Sequence, residues 1–327
     1  MKNNKGFTLV ELTVSIAIAA FMLGVMAKVL IDMKKTSITQ TNVQKIQNDV
    51  NFSMEKINRD LRVAGFRGCV STYDTSLSWV NFVNASGSTS YETSMTPVEG
   101  NAGTGSFSPA LDVYISALSP NANFDTLTVR ETIKEPMVLN TDMVNKTDPM
   151  IASGNPSANL VTGDLAIISG CSSASLFKVN TATSTQITAT NSSGIGNLFV
   201  TGAQIYNYKT IIYYVKNDGT KNNLYRKMGN GNTELIISNI DKFKVLYGLD
   251  TDGDTNVDKY SFANNITNFR QVVNVKVGIV IKADDRFTIG TNSSNYSYNF
   301  FGQTLTPNDT YLRKVIYINA SLRNKLP

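Results

Sequence analysis

Apolar residues are concentrated in one long run near the start of the chain, from Phe7 to Ala27, interrupted only by Glu11 and small polar side chains. As a helix, this run would be about 31 Å long at roughly 1.5 Å per residue, which matches the hydrocarbon core of a bilayer. Lys2 and Lys5 precede the run. By the positive-inside rule, the first residues lie in the cytoplasm and the rest of the chain lies outside it. The pattern predicts one membrane-spanning helix.

A second pattern follows, in which apolar residues recur at steps of three and four with polar and charged residues between them. This spacing is typical of an amphipathic helix. Because the first proline of the sequence is Pro97, one helix can run from Phe7 to about Val63 and end at Gly65. We expect its second half to pack under a folded domain. The residues at the apolar steps are Val43, Ile46, Val50, Met54, Ile57 and Leu61.

From Cys69 onward, short apolar stretches alternate with segments rich in Asn, Ser, Thr and Gly, a pattern typical of strands and turns. Asn217-Asp218-Gly219 predicts a hairpin, because Asn and Gly tolerate the positive φ that tight turns need. Residues 86–108 and 284–306 are predicted to be surface loops. The predicted strands are 111–117, 126–131, 165–169, 210–216, 223–227, 235–237, 242–247, 272–281 and 313–322. The sequence therefore predicts an α+β protein, with a long N-terminal helix followed by a β-rich head.

Composition argues against several function classes. Histidine is absent, which removes the commonest general base and the usual zinc ligand, so no enzyme is expected. The 30 basic and 25 acidic residues are scattered along the chain, and no nucleic-acid partner is expected. Cys69 and Cys171 are too few for a thiolate metal site, and they form either one disulfide or two inert core thiols.

The residues at the start of the apolar run resemble a known family. Lys5-Gly6-Phe7-Thr8-Leu9-Val10-Glu11 is similar to the class III leader of type IV prepilins, with Gly6 at the cleavage position. The resemblance implies that a prepilin peptidase cuts between Gly6 and Phe7 and methylates the new amino terminus of Phe7. It also implies that Glu11 faces the terminal amine of a neighbouring subunit. Such a pairing would neutralise a carboxylate that otherwise costs roughly 3 kcal/mol or more in a membrane. The alternative is a plain signal-anchor that tolerates a glutamate.

Four further segments narrow the resemblance to the PilW minor pilins. They are residues 59–69, residues 163–171 with Phe177, residues 247–254 and residues 322–324. The resemblance implies a leader peptide over residues 1–6, a transmembrane pilin helix over 7–64 and a β-rich extracytoplasmic head over 65–327. It implies a non-catalytic minor pilin that helps to initiate or cap a type IV pilus. The alternative in the same class is a J-type pseudopilin of a type II secretion system.

The same resemblance implies partners and a location. The partners are other minor pilins, the major pilin, the prepilin peptidase, the inner-membrane assembly platform and a tip adhesin. Before assembly the protein would lie in the inner membrane with its N-terminus in the cytoplasm and its head in the periplasm. After assembly it would lie in the pilus at the cell surface. Because the head faces an oxidising compartment, Cys69 and Cys171 are expected to form a disulfide.

One acidic segment suggests a metal. Oxygen-bearing side chains recur at every second position in Asp250, Asp252, Asp254, Asn256 and Asp258. A curled loop can turn such side chains inward together, and calcium takes six to eight oxygen ligands. Against this, the glycine stands at the fourth position of the loop, and Ser261 replaces the bidentate glutamate of an EF-hand at the twelfth. Two interpretations stay open, a weak calcium site and a solvent-exposed polar turn. No other cofactor is expected.

Two other function classes compete with a filament subunit. A tethered hydrolase would use the paired carboxylates between Asp250 and Asp258. A DNA-binding or adhesive subunit would use Lys221, Arg226 and Lys227, although a basic cluster of this size is usually the solvated face of a hairpin.

Overall fold

The computed structural model describes residues 8–68, 80–82, 94, 96–190, 194–229, 231–286 and 297–325. The chain divides into two compact units. The first comprises residues 1–48 and 282–313, and the second comprises residues 49–281 and 314–327.

The predicted long helix is confirmed as α1, Leu9–Val63. The chain leaves the helical path at Gly65, whose φ of +77° is a conformation that favours glycine. In the second unit the buried face of α1 includes Ile57 and Leu61, as predicted, together with Ser53 and Asp60. The prediction that Met54 lies on this face is wrong. Met54 is exposed. On the buried face, the residue one turn before Ile57 is Ser53, four positions earlier, and the Met54 side chain lies to one side of that face.

The second unit is built on an eleven-stranded sheet. Its strands are β1 (Val80–Phe82), β2 (Val98–Gly103), β3 (Phe107–Ser108), β4 (Thr126–Val138), β5 (Met150–Ile151), β6 (Leu165–Ser169), β7 (Ala174–Ala182), β8 (Gln186–Ala189), β9 (Gln204–Asn217), β10 (Asn222–Met228) and β11 (Thr233–Ile237). The main order is β3-β2-β4-β9-β6-β7-β8-β5. β1 pairs in parallel with β7, and the other described pairs in this sheet are antiparallel.

Strand β9 is the centre of this sheet. One of its edges pairs with β4, and the other pairs first with β6 and then with β10. β11 continues the sheet beyond β10. Every residue of β9 before Lys216 is buried or half-buried, which is typical of a strand covered on both faces. Charged side chains that neighbour β9 are therefore placed in the interior.

A smaller sheet has the order β13-β12-β14-β17. Its strands are β12 (Ile240–Leu249), β13 (Lys259–Phe262), β14 (Val272–Arg286) and β17 (Tyr311–Ser321). In the first unit, β15 (Tyr298–Phe300) and β16 (Gln303–Leu305) form a two-stranded hairpin. The remaining elements are two short α-helices, α2 (Val113–Ser116) and α3 (Pro156–Asn159), and 3-10 turns at Ala263–Asn265, Phe269–Gln271 and Arg323–Lys325. A long helix followed by mainly antiparallel sheets confirms the predicted α+β class.

The predicted hairpin at Asn217-Asp218-Gly219 is confirmed, since it joins β9 to β10 with Asn217 opposite Asn222. Gly219 has a φ of +101°. The Asp218 carboxylate accepts hydrogen bonds from the backbone N–H groups of Lys221 and Thr220, and these lower the pKa of Asp218 to about 2. The turn is thus held by its own side chains.

Two local predictions are wrong. Residues 111–117 were expected to form a strand, but they contain α2, because the Asp112 carboxylate accepts the Tyr114 backbone N–H at 2.9 Å and caps the helix. Helix α2 buries Ile115 in a cluster with Ile212 and Tyr214. This contact joins residues that are distant in sequence, so the local pattern does not reveal it. The segments 86–108 and 284–306 were expected to be loops, but they contain β2 and β3, and β15 and β16, respectively.

Candidate functional site

The first turn of α1 is closed by a pair of residues at its N-terminus. The Glu11 Oε2 atom accepts hydrogen bonds from the Thr8 backbone N–H and hydroxyl, both at 3.0 Å. The Glu11 backbone N–H donates to the Thr8 hydroxyl at 3.3 Å. This is a capping box, in which residues three apart satisfy each other's free groups. The spacing Thr8-x-x-Glu11 is its signal in the sequence. Gly6 and Phe7 lie outside the described residues.

The first half of α1 presents a mainly apolar surface that no other part of the described chain covers. All large hydrophobic residues from Leu9 to Met33 are exposed. The most apolar 18-residue window of the helix has a mean hydropathy of 2.4, and none of that window is buried. Such a surface is unstable in water and is suited to a bilayer or to a bundle of similar helices.

The last turn of α1 is attached to two distant segments. The Gly65 backbone N–H donates to the Arg130 carbonyl of β4 at 2.8 Å. From the end of the chain, the Asn324 side-chain amide donates to the carbonyls of Val63 and Ala64 at 3.2 and 3.1 Å. These carbonyls have no partner inside the helix, so Asn324 serves as a C-cap supplied by the tertiary fold. Two of the segments that carry the family resemblance, 59–69 and 322–324, thereby meet.

Asp60 binds α1 to the centre of the large sheet. Asp60 is fully buried, and its Oδ2 atom accepts hydrogen bonds from the Tyr213 hydroxyl and from Arg226 Nε, both at 2.7 Å. Its Oδ1 atom accepts from an Arg59 guanidinium nitrogen at 3.1 Å. Tyr213 and Arg226 are cross-strand partners in β9 and β10, and they therefore point to the same face of the sheet. A pair of this kind is costly to break, because either partner left alone is an uncompensated buried charge.

Arg226 was interpreted as part of an exposed basic cluster, and this is wrong. Its side chain is only 4% exposed, because the Asp60 carboxylate holds it in the interior. Burial disfavours the guanidinium charge, but the hydrogen bond and the negative charge of Asp60 outweigh this and raise the pKa of Arg226. Lys227, the next residue of β10, points to the other side of the strand and donates to the Gly231 carbonyl. Arg226 and Lys227 therefore share no basic surface.

Glu131 lies beside this pair. It follows Leu127 and Val129 on one face of β4, all three are buried, and alternation places a carboxyl where a hydrophobic residue is usual. Burial is the main cause that raises the pKa of Glu131 to about 8, and the negative charge of Asp60 raises it further. The positive charges of Arg226 and Arg59 act in the opposite direction. Burial and the neighbouring Asp60 charge therefore favour the neutral form of Glu131.

The sequence contains one signal for this cluster of buried charged residues. Asp60 lies on the same helix face as Ile57 and Leu61, and Glu131 lies at an apolar step of its strand. An acidic residue at a position of the buried stripe requires a buried partner. The pattern of neighbouring residues does not identify that partner, because it lies far away in the sequence.

The acidic loop brings together three of its five predicted ligands. Oxygen atoms of Asp250, Asp252 and Asp254 lie within 4.8 Å of one another. Asp258 is turned away, because its Oδ2 atom accepts hydrogen bonds from the Thr251 backbone N–H and hydroxyl at 2.7 and 2.6 Å. The Asn256 side-chain amide donates to Asp254 at 2.9 Å. The loop is thus an internally hydrogen-bonded turn in which three carboxylates converge, and calcium binding there stays a prediction.

Cys171 lies in the exposed turn between β6 and β7. Cys69 lies outside the described residues, so their disulfide also stays a prediction.

Two further segments carry the family resemblance, residues 163–171 and residues 247–254. The first includes buried Asp164, which pairs with Lys209. The second includes buried Tyr247, whose ring meets the Phe269 ring edge-on at a centroid distance of 5.3 Å.

Comparisons with known families match both parts of this arrangement. Residues 1–27 match the prokaryotic N-terminal methylation motif. Residues 212–324 match the family described as Type IV Pilus-assembly protein W, PilW. The second match includes Arg226 and Asn324, which hold the end of α1. No curated protein and no solved structure matches the chain.

Proposed function

Because the chain is a PilW-like protein of the type IV pilus class that is anchored in a membrane through its N-terminus, we propose that it is a minor pilin that helps to initiate or cap the filament. The observation that supports this proposal is that the two ends of α1 differ in their surroundings. Its first half is an uncovered apolar rod, and its end is fixed in a β-rich unit by Asp60, Gly65 and Asn324. A subunit of this form can join a bundle of helices while its head remains folded.

The first turn supports a role for Glu11 in assembly. In the single chain, the Glu11 carboxylate is held by Thr8 at the helix N-terminus, where the positive end of the helix dipole favours a negative charge. Phe7 directly precedes Thr8, so cleavage after Gly6 would create an amino group at this same end of the helix. The capping box would keep Glu11 ordered in the monomer until the amine of a neighbouring subunit becomes its partner in the filament.

The proposal includes location and partners. The unprocessed protein spans the inner membrane once, with its N-terminus in the cytoplasm and its head in the periplasm, and it reaches the cell surface in the pilus. Its partners are the prepilin peptidase, the assembly platform, other minor pilins, the major pilin and a tip adhesin. Pilin-type domains are structural, and the chain has no histidine, so we assign it no catalytic activity.

The test is complementation of a strain in which this gene is deleted, followed by counting surface pili by electron microscopy. Wild-type protein should restore piliation. Gly6→Leu should retain its leader by mass spectrometry and fail to restore pili, because the peptidase site of the family takes only a very small side chain at that position. Glu11→Ala should insert into the membrane normally but incorporate poorly into pili. Glu55→Ala, at an exposed position of the same helix, is the matched control and should behave as wild type.

Two further measurements separate this proposal from its alternative. A subunit that initiates or caps the filament should be present at a small fraction of the major pilin in sheared pili, as quantified by mass spectrometry. Normal piliation of the deletion strain, combined with a loss of protein secretion, would instead identify a J-type pseudopilin. An intact leader on wild-type protein from assembled pili would contradict processing at Gly6.

A further inference from the structure

The attachment of α1 to the large sheet contains two buried carboxyl groups and one buried guanidinium. Asp60 and Glu131 are 0% and 3% exposed, respectively. Arg226 uses its Nε atom on Asp60, and its NH1 atom lies 3.5 Å from Glu234. The buried Glu131 Oε2 atom and the Arg226 NH2 atom lack hydrogen-bond partners in the part of the chain that is described. Asp60 is thus paired with the buried Arg226 and with the mainly exposed Arg59, whereas no ion pair to Glu131 is present among the described residues.

The other charged groups around Glu131 do not supply a buried positive charge that could pair with its carboxylate. Its cross-strand partner Lys209 is ion-paired with Asp164. On α1, the Arg59 side chain is 59% exposed and already bound to Asp60, and Lys56 is paired with Glu234 of β11 at 3.0 Å. The Tyr213 hydroxyl is neutral and donates to Asp60. A charge on Glu131 would leave the interior with an excess negative charge next to Asp60.

We propose that the Glu131 carboxyl is a proton-controlled latch between the end of α1 and strands β4, β9 and β10. With its proton, Glu131 is a neutral group packed beside the Asp60–Arg226 pair. When the proton passes to solvent water, the interior holds two carboxylates and only one buried guanidinium, and the repulsion between the carboxylates loosens the helix end, residues 53–63, from the sheet. The β strands stay folded in this loosened state. This inference does not depend on the proposed function.

The direction of the pH dependence follows from the proton balance. In the unfolded chain the Glu131 carboxyl titrates near its ordinary value of 4.5, and in the folded chain its pKa is about 8, for the reasons given above. Between these values the folded state holds more protons than the unfolded state, so its stability falls as pH rises. The equilibrium constant for opening should increase by up to about tenfold per pH unit in this window.

The test uses the full chain in detergent micelles. Hydrogen exchange with mass spectrometry reports the protection of residues 53–63 from pH 5.5 to 9, after correction for the intrinsic pH dependence of exchange. In the wild type, protection of this segment should fall as pH rises, by up to about tenfold per unit. In Glu131→Gln the segment should stay protected across the range. Glu55→Gln, which removes an exposed carboxylate of α1, should keep the wild-type profile.

A second variant keeps the proposal testable if Glu131→Gln does not fold. Asp60→Asn removes the neighbouring negative charge that helps to raise the pKa of Glu131. The upper end of the pH-dependent window follows the folded-state pKa of Glu131, so it should move to lower pH, a shift that a purely structural role would not produce. A flat wild-type profile, an equal slope in Glu131→Gln, or an unchanged upper end of the window in Asp60→Asn would each overturn the latch.

Discussion

Arg226 Nε donates to Asp60 Oδ2 at 2.7 Å, although the two residues are 166 positions apart in the chain. One lies on the last turns of α1, and the other lies on β10. Both side chains are almost completely buried. The pair therefore joins the helix to the sheet at a depth where water does not compete.

Removing either partner should destabilise the protein strongly. Asp60→Ala and Arg226→Ala should each lower the free energy of unfolding by about 3–5 kcal/mol, because each leaves an uncompensated buried charge. Urea unfolding of the full chain in detergent, followed by circular dichroism, measures the effect. Lys56→Ala is the control, since its half-exposed pair with Glu234 should contribute at most about 1 kcal/mol.

The double variant gives a sharper measurement. In Asp60→Leu with Arg226→Met, both charges are replaced by apolar groups, and the combined loss should be much smaller than the sum of the two single losses. Additive losses would show that Asp60 and Arg226 act independently.

The C-cap supplied by Asn324 should contribute less. Asn324→Ala removes the side-chain amide that donates to the carbonyls of Val63 and Ala64, and each lost neutral hydrogen bond is worth about 1 kcal/mol. We expect a loss of about 1–2 kcal/mol in the same unfolding experiment. Asn324→Asp should be worse, because a carboxylate would face the negative end of the helix. Arg323→Ala, at the exposed neighbouring position, should have little effect, and an equal loss in that variant would refute the cap.

The acidic loop should bind calcium through Asp250, Asp252 and Asp254. Bound calcium would relieve the repulsion among their converging carboxylates, so millimolar calcium should raise the melting temperature by mass action. Asp252→Ala combined with Asp254→Ala should abolish the rise. Asp258→Ala should retain it, because Asp258 is bound to Thr251 outside the convergent set. A melting curve indifferent to calcium and to chelator leaves the loop as a polar turn.

The disulfide between Cys69 and Cys171 should be present in protein exported to the periplasm. Without reductant, the denatured chain should take up no alkylating reagent, and Cys171→Ser should expose one reactive thiol. Closing a loop of about 100 residues stabilises a fold by up to about 4.7 kcal/mol in the chain-entropy model. Alkylation of both cysteines in the unreduced wild type would contradict the bridge.

Local patterns were sufficient for the features that depend on neighbouring residues. The apolar run, the three-and-four spacing and Gly65 predicted α1 and its end, because helix hydrogen bonds join residues four apart. The turn at Asn217-Asp218-Gly219 predicted the hairpin, because a tight turn also depends only on adjacent residues. Residues 111–117 show the limit of such patterns, since a cap from Asp112 and burial of Ile115 against β9 made them helical.

The sequence by itself determined a long N-terminal helix with an apolar first half, an α+β chain and the resemblance to the prepilins, all of which follow from short or periodic motifs. Only the tertiary structure decided that Arg226 is buried, that Glu131 lies beside Asp60, and that three of the five acidic-loop residues converge. The physical reason is that a charged side chain is buried only where a partner compensates its desolvation. Here the partners are distant in sequence, and no local pattern identifies them.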